Sequence, residues 1–164
     1  MTIFLNFLIF AFSYLFDSAK AFEFISVFGV MPQFVLVALI CFCIFYGKER
    51  GLVMAVCMGF VTDFISASPI GAHALVYLAI SVLCGITYET ILEKNYFSAA
   101  VTVFALSFGY NIVTYIFQIF MGSEAGFWYS LVRYILPGCV YNTVISPLLY
   151  LLIGKVHDRN ERIF

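Results

Sequence analysis

Residues 59–75 read GFVTDFISASPIGAHAL, and the meaning of the carboxylate inside this stretch decides what kind of chain this is. Asp63 stands between apolar runs, just ahead of a Ser-Pro-Ile-Gly break. In water it would need no explanation, whereas in hydrocarbon a charge costs about 2.5–3.5 kcal/mol or more. Composition identifies the solvent. Of the 164 residues, 64% are hydrophobic and only 10% charged, with a mean hydropathy of +1.06. Soluble domains carry about 25% charged residues. The deficit is larger than a big soluble core explains, so the sequence reads as an integral membrane protein.

Working outward, apolar runs separated by short charged or Gly/Pro-rich breaks predict spans over roughly 2–16, 28–46, 51–66, 69–92, 97–121 and 127–154. A spanning helix needs about 20 residues. The first and third spans are therefore short, and the sixth, carrying Pro137 and Pro147, is long. The expected fold is all-α: one polytopic domain over 1–164, a six-helix transmembrane bundle with a short or broken third helix. No linker divides the chain and no internal repeat is found. Ala19-Lys20-Ala21 after an apolar run mimics a signal-peptide cleavage pattern, but no Lys or Arg precedes that run, so a retained helix is expected. Lys48, Arg50, Lys94, Lys155, Arg159 and Arg162 fall on one side if the helices alternate, against Lys20 and Arg133 on or near the other. The positive-inside rule then predicts that both termini are cytoplasmic. The tail KVHDRNERIF mixes signs and reads as a solvated end.

Gly51, Ala55, Gly59 and Asp63 recur every four residues, which places them on one face of the third helix. Small residues at this spacing let a neighbouring backbone approach closely. Two readings follow: tight packing inside the bundle, or a docking face for another protein. Asp63 lies about 18 Å along the axis from Gly51 at 1.5 Å per residue, in the outer half of the membrane. Ser68-Pro69 reads as an N-cap with proline at the first helical position, and Gly71 allows close packing in the first turn. A carboxylate beside that helix start would meet unpaired N–H groups and the positive end of the dipole. The alternative is a cavity-lining or proton-relaying Asp63, with Arg133 as an ion-pair partner and His73 nearby. A relay needs further titratable groups, and Glu89 lies near the opposite end of its helix.

Other chemistries find little support. Cys41, Cys43, Cys57, Cys84 and Cys139 all fall in apolar runs, and Cys41-x-Cys43 alone is a weak metal signal. Buried small hydrophobes are the plainer reading. There is no G-x-S-x-G, no H-E-x-x-H and no second aspartate in the apolar spans. No enzyme activity and no cofactor are expected, and no basic patch exists to bind nucleic acid. Asn111, Gln118, Asn142 and Ser146 suggest interhelical hydrogen bonds.

Residues 32–85 carry Pro32 at the head of the second span, Gly59-x-x-x-Asp63, the Ser/Pro break with Pro69, Gly71 and Ala74-Leu75. With Asn142 and Pro147 in the last span, this pattern resembles the rod shape-determining protein MreD family. Ala55 departs from a glycine common in that family, but keeps the site small. The resemblance implies a non-catalytic subunit of the bacterial elongation machinery in the cell (inner) membrane, helping to organise lateral peptidoglycan synthesis. It also implies an MreC-like bitopic partner and, indirectly, MreB-like filaments, a RodA-like glycosyltransferase and its transpeptidase. The family fold is similar to the S component of energy-coupling-factor transporters, which supplies the alternative of a small-molecule-binding transporter subunit.

Overall fold

The computed structural model describes residues 2–18, 30, 32–65, 71–90, 96–120, 122 and 126–161. The fold is all-α. The elements are α1 (Thr2–Ser18), α2 (Phe34–Ile65), α3 (Ala72–Thr90), α4 (Tyr96–Phe120), α5 (Phe127–Ser130) and α6 (Leu136–Glu161), with a π-helical turn over Leu131–Ile135 joining the last two.

The second and third predicted spans form one element, α2, bent at Gly47. Gly47 has φ 79° and ψ 179°, a region of backbone space that is essentially glycine-only. A Cβ built on Gly51 would lie 2.5 Å from Cys43 Sγ, although eight residues of straight helix span about 12 Å. The chain therefore doubles back, and α2 is a hairpin of arms 34–46 and 48–65. The break expected over "GKER" is a single non-helical residue. Likewise, the expected short or broken third helix runs unbroken from 48 to 65, gaining three residues at its start.

Arm 34–46 is the centre of the molecule. Every residue from Val35 to Cys43 is buried, as expected of a helix that is apolar all round. Asn6 Nδ2 donates to Tyr46 Oη at 3.0 Å, while Asp17 reaches the N–H groups of Phe34 and Val35. Thus α1 is antiparallel to this arm. Arm 48–65 is antiparallel to α3, because Gly51 approaches Ser81 and Gly59 approaches Ala74. Ser107 pairs with Asn142 and Asn111 with Cys139, setting α4 antiparallel to α6. Ring contacts of Phe45 with Tyr150 and Tyr46 with His157 align α6 parallel to arm 34–46.

The passes alternate in direction, so Gly47, the start of α4 and the end of α6 share one end with Lys48, Arg50 and Lys155. The starts of arm 34–46 and of α3 share the other end with α5. By length and composition, Tyr96–Phe120 and Phe127–His157 could cross a membrane. Large apolar side chains cover the outside, among them Phe64 (87% exposed), Leu75 (70%) and Val144 (72%). A soluble surface rarely presents such a continuous apolar coat.

Candidate functional site

The densest polar site lies where arm 48–65 meets the start of α3. Gly71 precedes α3 with φ 97° and its carbonyl accepts the N–H of Leu75 at 2.9 Å, which makes it the N-cap position. Glycine has no side chain to serve the orphan N–H groups of the first turn. Asp63 serves them from the preceding helix. Its Oδ2 accepts Gly71 N–H (2.8 Å) and Ala74 N–H (3.3 Å), and its Oδ1 accepts His73 N–H (2.9 Å) and faces His73 Nδ1 at 2.8 Å. A carboxylate offers about four lone-pair sites, and all are taken. Asp63 is 2% exposed. The His73 ring, on a side chain 28% exposed, is the side-chain group that meets the carboxylate. Arg133 is exposed on the π-helical turn.

Below the carboxylate, the small-residue stripe faces inward. Gly51, Ala55, Gly59 and Asp63 are all buried. A Cβ on Gly59 would overlap Ala74 Cα and lie 2.7 Å from its N. Backbone there meets backbone, and only glycine allows the approach. At Gly51 the neighbours are Cys43 Sγ and Ser81 Oγ, so three passes meet in one contact. Placed inside, the stripe has no free area to offer another protein. Pro69, with Ser68, lies outside the described residues, where α3 is described only from Ala72.

A second polar site ties α2, α4 and α6 together. Asn142, fully buried, accepts Gln33 N–H on Oδ1 at 2.9 Å and donates through Nδ2 to Ser107 Oγ at 3.1 Å. Gln33 Nε2 donates to Asn111 Oδ1 at 3.3 Å, and Asn111 Nδ2 donates to the Ser107 carbonyl at 2.9 Å. Pro147 lies inside α6 and cannot supply an N–H to the carbonyl of Thr143, four residues back. Ser146 Oγ donates to that carbonyl at 2.8 Å, so the missing bond is replaced from the adjacent side chain.

A family model described as rod shape-determining protein MreD matches residues 1–158. The chain belongs to the MreD family. Comparisons with curated proteins and with solved structures give no match. As a member of that family it is a membrane protein of the rod-shape system.

Sequence reasoning missed one residue of this MreD chain that serves a helix start as Asp63 does. Asp17 Oδ1 accepts Phe34 N–H at 2.7 Å and its Oδ2 accepts Val35 N–H at 3.0 Å. Together with Asn142 on Gln33 N–H, this satisfies the start of the central arm. The available signal was the parallel with Asp63: an aspartate near the end of one helix, followed by a Pro-containing break and an apolar run. Among the described residues no group of three or more His, Cys, Asp and Glu could hold a metal. A lateral groove of about 650 Å³ lies between α1 and α6, walled by apolar side chains such as Leu8, Phe12, Phe16, Ile145 and Leu149.

Proposed function

We propose that this protein is a non-catalytic, multi-pass subunit of the bacterial cell-elongation complex, helping to organise lateral peptidoglycan synthesis. In this reading the bundle spans the inner membrane with six helical passes, counting the two arms of α2 separately, and both termini are cytoplasmic. Its direct partner is an MreC-like bitopic protein. MreB-like filaments, a RodA-like glycosyltransferase and its transpeptidase are linked through that contact.

The carrying observation is the match to the MreD family over residues 1–158. The polar chemistry agrees with a scaffold. The Asp63 carboxylate is committed to a helix start, and Asn142 is committed to other passes. Groups spent on holding passes together stabilise a shape. They leave the partner contact to the apolar exterior. Lys48, Arg50 and Lys155 gather at one end, which fits a cytoplasmic face.

The test is a gentle detergent pull-down of the tagged full chain with mass spectrometry. Co-recovery of MreC-like and RodA-like proteins is expected. Recovery of a pair of ATPase subunits instead would replace the scaffold reading with a transporter one.

A further inference from the structure

Exposed aromatic side chains occur on several helices, and the more exposed ones of α4 and α5 stand at the ends of these two elements. At one end of α4 stand Tyr96 (56% exposed) and Phe97 (80%), and at the other Phe120 (86%), followed on α5 by Trp128 (76%) and Tyr129 (58%). From Phe97 to Phe120 is about 34 Å at 1.5 Å per residue. The hydrocarbon layer of a bilayer is about 30 Å thick. Between these ends α4 carries no charged residue and exposes Val101, Phe104, Val113, Ile116 and Phe117, apolar side chains without a polar tip.

We infer that these residues form two interfacial rings, with Trp128 at the headgroup–acyl boundary of the leaflet opposite Lys48, Arg50 and Lys155. The inference rests on the multi-pass reading above and adds what fixes the depth of the molecule in the membrane. An indole this exposed would leave a large apolar face in water, while hydrocarbon would strand its N–H without an acceptor. The boundary satisfies both halves of the side chain. Placement agrees with chemistry, because α5 is the first turn of Phe127–His157, which with Tyr96–Phe120 is long and apolar enough to cross. The surface that α5 presents therefore continues the lipid-facing surfaces of α4 and α6.

Trp128 is the only tryptophan of the chain, so the unaltered protein carries its own probe. The full chain is reconstituted in phosphatidylcholine vesicles whose acyl chains are brominated either near the headgroup or near the methyl end. Fluorescence quenching is compared with that by aqueous iodide. Shallow bromines should quench at least about twofold more than deep ones, with iodide weak, as an interfacial indole requires. Stronger quenching by deep bromines, or strong iodide quenching with inert bromolipids, would overturn the inference. Phe97→Trp in a Trp128→Phe background should give the same shallow profile, and a deep one would remove the second ring. Gly126→Cys and Lys155→Cys labelled from opposite sides test the multi-pass reading separately. Labelling from the same side would overturn that reading and the assignment of Trp128 to the opposite leaflet, while the quenching profiles would still decide whether the rings lie at the interface.

Discussion

Both oxygens of Asp63 are committed, and that changes what a substitution there does. The sequence alone suggests that Asp63→Asn is benign, because an amide keeps one acceptor of similar shape. In the structure Oδ1 faces the His73 N–H and ring while Oδ2 faces the N–H groups of Gly71 and Ala74. Whichever way the amide turns, its NH₂ points at donors. Asp63→Asn should therefore lose membrane abundance, by an amount between wild type and Asp63→Leu. The leucine variant strands every one of these N–H groups, at about 1–3 kcal/mol for each buried unsatisfied donor. Quantitative blotting of membranes, read beside cell-shape complementation, orders the three proteins. A fully abundant but inactive Asp63→Asn would instead mean that the carboxylate titrates in the working protein. Four residues earlier, Gly59→Leu should be more damaging than Ala55→Gly. Its Cβ alone would overlap the backbone of Ala74, at the upper end of the ~1–3 kcal/mol typical of overpacking. Ala55→Gly costs about 0.5–1 kcal/mol of helix propensity. Thermal stability of the detergent-solubilised variants checks the order, and a Gly59→Leu protein as stable as wild type would show that α3 can shift away.

At the scale of elements, two helix starts are served by carboxylates from preceding helices, and one interruption by the neighbouring hydroxyl. Asp17 serves arm 34–46, Asp63 serves α3, and Ser146 serves the carbonyl that Pro147 leaves without a partner. The last of these makes a coupled prediction. Ser146→Ala should destabilise the protein by about 1 kcal/mol or more, because the Thr143 carbonyl is then unpaired. In a Pro147→Ala background the restored N–H takes over that carbonyl, and Ser146→Ala should cost much less. A double-mutant cycle on detergent melting measures this coupling, and additive effects would show that Ser146 does not compensate the proline. These cases also show what the sequence could and could not reveal. Asp63 beside the start of α3 was legible because the contact closes over only eight to eleven residues, across a single break in the sequence. Ser146 and Pro147 were each visible as types, but not as a pair. Asp17 looked like one more charge in a polar break, because its partners lie 17 and 18 residues on. The Gln33–Asn142 contact spans 109 residues, a separation at which no local pattern carries information.

For the whole molecule, hydropathy made the apolar passes visible, but not that two of them join at one glycine, because Gly47 reads the same in a helix or a turn. Direction is the property that the contacts add. With the passes alternating, Gly126 before α5 and Lys155 near the end of α6 lie at opposite ends, and both are exposed. Impermeant maleimide labelling tests whether those ends lie on opposite sides of a membrane. Four of the five cysteines, Cys41, Cys43, Cys84 and Cys139, are buried, and only Cys57 is exposed. Replacing Cys57 alone with serine therefore gives a silent background without disturbing the contact of Cys43 with Gly51. Gly126 accepts a side chain readily, since its backbone is extended at φ −60° and ψ 139° and nothing lies within 4 Å of an added Cβ. In intact cells with a permeabilised outer envelope, Gly126→Cys should label and Lys155→Cys should not; in inverted membrane vesicles the pattern should reverse. Reversed results in both preparations would turn the molecule over and place the cationic end outside, against the positive-inside bias. Labelling of both positions from one side would mean that α6 does not cross, despite a segment of 31 apolar-rich residues from Phe127 to His157, about 46 Å if fully helical.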